Sequence, residues 1–423
     1  MSTTAIPMLT GYRVLDITQI VAGPTCGRLL AEAGAEVIKV ELAPSGDRGR
    51  FSGLKSQAPA HRRSSQSTYN VQHNHSKKSI ALDFRNPRSR ELLRGMIPKV
   101  DVVIENFAPG VMARNGLAWS DLHPLNPRLV MCSISMAGQQ GPLSQEPGFD
   151  YMAAAYAGAT MLFGEPDRAP AQFAMAIGDS YTGVSAAMAI GFALLHRERT
   201  GQGQYVEATL LDSYFHMQEI NIPRVSLRGP AGAPPRSGSL HPDGGPTGVF
   251  RYGPDAFISI MVLPHQWQQL IEAMGMPELE KDPRFDTPRA RRDNKEALYN
   301  IVEGWLSRFP SRDDALAALR RFRVPCAPVL SLAEAMAHPH MRERGSVRTV
   351  HDPVLGTFDI PGPPVRYSAW PMQPEPKAPL LGEDNEQVLR DIAGLSADQI
   401  RELYASGVIV QDTVLEARQE GAA

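Results

Sequence analysis

"VLDITQIVAGPTCGRLLAEAGAEVIKVE", running from Val14 to Glu41, carries the pattern on which the fold turns. Val14 to Ile17 and Glu36 to Glu41 are β-branched and apolar enough for strands, and Pro24 to Ala33 between them has a helical pattern opened by Pro24 and closed by Gly34. Two strands joined through a helix at this spacing pair in parallel, because the helix carries the chain back over the sheet. The alternation continues with strands at Ser79 to Asp83, Asp101 to Glu105 and Leu129 to Ile134, and with a helix at Pro87 to Met96. The expected fold class is therefore α/β, a Rossmann-like parallel sheet, whose ligands collect at the carboxyl ends of the strands.

Further along, Ala153 to Gly201 is helical and rich in Ala, Gly and Met, ending in "HRERTGQGQ". His196, Arg197 and Arg199 suit a helix C-terminus, and Gly201 suits its left-handed cap. Tyr205 to Ala208 is expected as another strand. "RGPAGAPPRSGSLHPDGGPTG" (Arg228 to Gly248) breaks the pattern as a linker or loop. A hairpin, "GVFRYGPDAFISIMV", turning at Gly253 to Asp255, and helical patterns beginning near Pro264, Arg292 and Ser311 then predict a second, smaller α+β domain. The helical "SLAEAMAHPHMRERG" leads into another hairpin around "HDPVLGTFDIPG", and helices are expected over Asn385 to Ile392 and Ala397 to Ala405.

Composition narrows the function. The 43 Lys and Arg residues balance 45 Asp and Glu, so no field attracts nucleic acid or an anionic membrane. Cys26, Cys132 and Cys326 are odd in number and far apart, which fits a reducing compartment better than a disulfide framework or a zinc site. No signal peptide or membrane span is read, and the expected location is the cytoplasm. The loop after the first strand has no GxGxxG, and no Walker A, HExxH or EF-hand pattern occurs. His73 with His75 and His338 with His340 are i,i+2 pairs, a poor spacing for shared metal ligation. No metal and no permanently bound cofactor are expected.

One carboxylate remains. Asp179, in "AIGDSYTG", stands before an apolar helix. Taken alone it is a helix cap, worth about 1 kcal/mol. The same helix terminus keeps a carboxylate ionised in apolar surroundings, where it can attack an activated carbonyl. Gly178 and Gly183 are read as leaving room for a substrate beside it.

Several blocks decide between these readings: "VLDITQIVAGP", "LLAEAGAEVIKVE", "NHSKKSIALDF", "DVVIENFAPGVMARNGL", "NPRLVMCSISMAGQQGP", "GDSYTG", "HRERTGQGQYVEATLLDS", "DPRFDT", "VPCAPVLSLAEAMAHP" and "PLLGEDNEQVL". In this order, over about residues 11 to 410, the chain resembles the class III CoA-transferase (CaiB/BaiF) family. The resemblance implies that Asp179 is the catalytic nucleophile. It attacks an acyl-CoA thioester, forms a mixed aspartyl anhydride and then an aspartyl-CoA thioester, and passes CoA to a carboxylic acid. Coenzyme A thioesters are then substrates, with succinyl-CoA a suitable donor. The family's CoA contacts fall on Val21 and Ala22, on Leu82, Asp83, Phe84 and Arg85, on Asn106, Phe107 and Ala108, on Arg114, and on Pro147, Gly148, Phe149 and Asp150. Arg85 and Arg114 are the expected phosphate partners, and Asn106 is otherwise a turn residue.

The family fold implies an interlocked, ring-like homodimer, with a large domain over 1–225, a small domain with linkers over 226–330, and a segment over 331–423 that returns to the large domain. There are departures. Leu42 stands where formyl-CoA transferase has an arginine, Val21 replaces its glutamine and Phe149 its tyrosine. Its glycine-rich flap has no close match, although "PDGGPTG" from Pro242 offers one. The racemase branch of the family carries a Gly-His-Asp sequence where this chain has Gly148, Phe149 and Asp150, and phenylalanine cannot move a proton. A racemase-like epimerase and a non-catalytic CoA-binding protein stand as the alternatives. Met152, Met161 and Phe163 are read as core in preference to an acyl pocket.

Overall fold

In the computed structural model, which describes residues 6–55, 64–242, 244–370 and 375–422, the chain groups into two compact units. The first comprises Met1–Ala157, Met175–Met217 and His340–Ala423, the second Gly158–Ala174 and Gln218–Pro339. The chain thus passes between units near 157, 174, 217 and 339. The expected boundaries at 225/226 and 330/331 do not include the excursion over 158–174.

The first unit is built on six parallel strands, β1 (Arg13–Asp16), β2 (Glu36–Leu42), β3 (Lys78–Leu82), β4 (Val102–Glu105), β5 (Val130–Ser135) and β6 (Tyr205–Thr209), in the order β3-β2-β1-β4-β5-β6. Val14 of β1 lies opposite Val37 on one side and Val102 on the other. Strand order reverses between β1 and β4, so the loops that leave these two strands diverge and open a crevice at their carboxyl ends. Alternation sends Leu15, Ile38, Val40 and Val103 to one face. There they pack with Leu93 and Met96 of helix Pro87–Met96 and with Val388, Leu389, Ile400 and Leu403 of the C-terminal helices Asn385–Asp391 and Ala397–Ala405. Each such buried side chain contributes on the order of 2 kcal/mol. Helix Pro87–Met96 spans the expected residues because the Asn86 side chain accepts the Arg88 N–H and Pro87 occupies the first turn.

Helix Ala22–Glu32 covers the opposite face and packs against the long helix Ile177–Thr200, which ends at Gly201 in the left-handed conformation (φ 78°). A Cβ on Gly183 would lie 2.5 Å from the Ala22 carbonyl oxygen, so this glycine lets the two helices approach closely. Among the described residues no helix is long and apolar enough to cross a membrane.

The second unit has its own core. Strands Thr247–Arg251, Phe257–Met261 and Cys326–Pro328 form an antiparallel sheet. Phe250, Ile258, Leu270, Leu298, Val302 and Leu316 bury its apolar side together with helices Trp267–Met274, Lys295–Leu306 and Arg312–Arg321. The stretch expected as linker follows directly on helix Asn221–Arg228 and begins with a short helical turn at Gly229–Gly232. Asp243, within the flap-like "PDGGPTG", lies outside the described residues. Met152, Met161 and Phe163 are not core as expected but exposed, and Phe163 stacks on Phe173 with ring centroids 5.0 Å apart.

Candidate active site

A cleft of about 480 Å³ in the first unit lies at the strand-order reversal, between the loop after β1 (Gln19 to Ala22), the loop after β4 (Asn106 to Val111) and the end of β5, with Asp179 in its wall. The loop after β1 has an uncommon shape. Ile20 is β-branched yet sits at φ 73°, a left-handed conformation that such residues rarely adopt. Two side chains hold it there. Asn106 accepts the Gln19 N–H at 2.8 Å and donates to the Gln19 carbonyl at 2.8 Å, while Asp47 accepts the Ile20 N–H at 2.9 Å. The sequence expectation for Asn106 was a turn or a CoA contact; its amide is committed to the neighbouring backbone.

Asp47 is anchored in turn by buried charge. Its carboxylate is paired with Lys39 at 2.9 Å and also accepts the Gly49 N–H at 2.8 Å. Lys39 donates to the Thr18 carbonyl and faces Asp16 at 3.6 Å. Lys77 joins Asp16 (2.7 Å), the Pro24 carbonyl (2.9 Å) and Asn74 (2.8 Å). Burial alone would push the Asp16 carboxyl up, but Lys39 and Lys77 outweigh it and hold the pKa at about 2. Burial lowers Lys77 to about 8 despite Asp16. Charges so deep in the sheet persist because each is paired and hydrogen-bonded.

The question posed by Asp179 has a geometric answer: another carboxylate does the capping. Asp150, at the start of helix Asp150–Tyr156, accepts the Asp179 N–H at 3.0 Å. Tyr214 donates to Asp150 at 3.1 Å and accepts the Gly178 N–H at 3.2 Å. The helix has no side-chain cap of its own. Asp179 is therefore released from capping, and among the described residues no group hydrogen-bonds its carboxylate. Burial first, and the charge of Asp150 second, raise its pKa to about 7. Burial also raises Asp150, against the Tyr214 hydrogen bond. The two carboxylates form an interacting pair, so their titration is shared.

Gly178 and Gly183 do not make room for substrate as expected. A Cβ on Gly178 would meet Tyr214 Cε2 at 2.3 Å and Asp150 Oδ1 at 2.4 Å, and Gly183 faces helix Ala22–Glu32. Both glycines serve close packing that aims the start of the long helix.

Of the residues expected around a ligand, Val21, Ala22, Asn106, Phe107, Ala108, Pro147, Gly148, Phe149 and Asp179 line this one cleft. Phe149 is exposed in it. The others lie outside its lining. Leu82 is fully buried in the sheet core. Phe84 packs near Phe107 with centroids 6.5 Å apart. Arg85 is paired with Asp83 at 2.8 Å. Arg114 lies in the short helix Val111–Arg114 against Gly110, and Asp150 is spent on the helix cap. Among the described residues no group of three or more His, Cys, Asp or Glu is arranged to hold a metal ion.

Sequence reasoning passed over Arg48, which is the one cation among the described residues lining the cleft. Its signal was available: "SGDRG" (Ser45 to Gly49), two residues beyond the end of β2, is an Asx-type turn near a strand's carboxyl end, with Asp47 bonding the amide two residues on. Tyr69 was also missed. Its ring lies beside Gly49, and burial together with the charges of Asp179 and Asp47 pushes its hydroxyl up to about 12.

The parallel sheet thus carries, at its strand-order reversal, a cleft with an uncapped carboxylate in its wall. The model of CoA-transferase family III matches residues 9–385. The chain belongs to that family and is a transferase. It is 34% identical over 408 residues to succinyl-CoA–D-citramalate CoA-transferase of Chloroflexus aurantiacus, covering 95% of this chain and 98% of that protein. It is 35% identical over 422 residues to formyl-CoA:oxalate CoA-transferase of Streptomyces coelicolor, covering 95% and 99%. Among solved structures, a CAIB/BAIF family protein from Brucella suis matches with a TM-score of 0.79 and 33% identity, over 91% of this chain and 99% of that one.

Proposed function

We propose that this transferase moves CoA from an acyl-CoA donor to a carboxylic acid through covalent intermediates on Asp179. The observation that carries the reading is the Asp179 carboxylate itself. It lines the cleft, and among the described residues no group hydrogen-bonds its oxygens, because Asp150 accepts the Asp179 N–H and Tyr214 the Gly178 N–H. In the proposed sequence an Asp179 oxygen attacks the thioester carbonyl and expels CoA thiolate, leaving a mixed anhydride. The thiolate attacks the aspartyl carbonyl and releases the donor acid, giving an aspartyl-CoA thioester. The acceptor carboxylate then displaces the thiolate to form a second anhydride, and attack of the thiolate on the acceptor carbonyl yields the new CoA ester and regenerates Asp179. Each intermediate is open to hydrolysis, so a narrow cleft that limits water favours transfer.

In this reading CoA runs along the strand ends against Val21, Ala22, Asn106 to Ala108 and Pro147 to Phe149, and the phosphates lie toward Arg85 and Arg114. A homodimer, a cytoplasmic location and a three-part division of the chain near 225 and 330 complete the proposal. The test is to mix the protein with succinyl-CoA or acetyl-CoA, quench with hydroxylamine or borohydride, and map the modified peptide by mass spectrometry. Modification at Asp179, absent in Asp179→Ala, is the expected result. An unmodified Asp179 peptide during turnover refutes the reading.

A further inference from the structure

We infer that Arg48 binds the distal carboxylate of a dicarboxylic acyl group in the Asp179 cleft, so that the site selects diacids over monoacids of equal length. The inference rests on the transferase reading above and names its substrate class. Three observations carry it. Arg48 lines the same cleft as Asp179, and it is the one cation among the described lining residues. Its guanidinium has no ion-pair or hydrogen-bond partner among the described residues, whereas Arg50, two residues on, is locked to Glu41 at 2.6 Å. The turn that carries it is fixed from below: Asp47 accepts the amides of Ile20 and Gly49 and is held by Lys39, so Arg48 projects from a rigid base.

An unpaired guanidinium in a cleft that also holds Asp179 and Glu146 is suited to a planar anion. Two anions are available, a carboxylate on the acyl group and the phosphates of CoA. Position favours the carboxylate. Arg48 and Asp179 line one cleft of about 480 Å³, and the turn of Arg48 adjoins Tyr69. The thioester sulfur must reach Asp179, and the pantetheine arm keeps the phosphates a whole arm's length from that sulfur. A cation that shares the lining of so small a cleft with Asp179 is therefore placed for the acyl group rather than for the phosphates.

The test compares succinate with butyrate, and glutarate with valerate, as acceptors for the wild type, Arg48→Gln and Arg48→Lys. Calorimetric titration of the same acids into each protein is run alongside. Wild type is expected to prefer the diacid. In Arg48→Gln the diacid-to-monoacid ratio of kcat/KM falls by about tenfold or more, mainly through KM, as expected for loss of a charged hydrogen bond. Arg48→Lys restores part of the ratio. An unchanged ratio overturns the inference. So does a matching rise in KM for acetyl-CoA, which would assign Arg48 to the phosphates. If wild type shows no covalent label at Asp179, the transferase mechanism fails instead, and the titrations still decide whether Arg48 prefers diacids.

Discussion

The Asp150 carboxylate accepts the backbone N–H of Asp179 at 3.0 Å, although the two residues belong to different helices. One acid thus performs the structural task usually given to the other. Capping draws a carboxylate onto its own helix, whereas Asp179 stays in the cleft, where burial and Asp150 together hold its pKa near 7.

That pair sets the pH dependence. In the proposed mechanism the attack needs ionised Asp179, so kcat/KM for the acyl-CoA donor is expected to rise with pH and level off above about 7. Removing the like charge in Asp150→Asn lowers the Asp179 pKa and moves the rising limb to lower pH. Stopped-flow CoA release across pH 5 to 9 measures both; an unmoved limb shows that Asp150 does not tune the nucleophile.

The same shift has a cost in stability. A carboxyl whose pKa rises from 3.8 to about 7 on folding disfavours the folded state increasingly as pH climbs between those values. Asp179→Asn is therefore expected to stabilise the protein at pH 8, by roughly 1–2 kcal/mol after allowing for partial solvent screening, and to have no effect near pH 4. Denaturant melts at the two pH values check the sign.

Glycines in the long helix separate packing from propensity. Gly191→Ala has open space and should gain about 0.5–1 kcal/mol, as helix propensity predicts. Gly183→Ala drives a methyl to 2.5 Å from a backbone oxygen and should lose at least about 1 kcal/mol, with reduced activity as the helix is pushed off its neighbour. Equal effects of the two would contradict the close approach described here.

Asn106→Ala removes both clasps on Gln19. We expect about 1–2 kcal/mol of lost stability and a several-fold rise in donor KM, with a smaller change in kcat, because the loop after β1 shapes the cleft but does not react. Steady-state kinetics and thermal melts together test this.

Much of the architecture was legible because local and tertiary preferences agree. The β-branched runs at Val14, Glu36 and Leu129 became strands, and Asn86-Pro87 marked a helix start to the residue. The two helix glycines were misread because their partners, Tyr214, Asp150 and Ala22, come from distant segments. Nothing in the sequence marks Lys39 and Asp47 as partners, since their pairing depends on Asp16 and Lys77, which the fold buries with them. The candidate nucleophile was legible only through resemblance. Its release from capping depends on a tyrosine and an aspartate, 36 and 29 positions from the residues they hold.

This borrowed cap ties reactivity to the folded state. A nascent or partly melted chain in which helix Asp150–Tyr156 has not docked leaves the Asp179 amide without its acceptor and takes away the neighbouring negative charge. With burial and that charge both reduced, the acidity of Asp179 would return toward that of an ordinary aspartate. In the proposed mechanism, the acidity of the nucleophile is then set by the docking of a neighbouring helix.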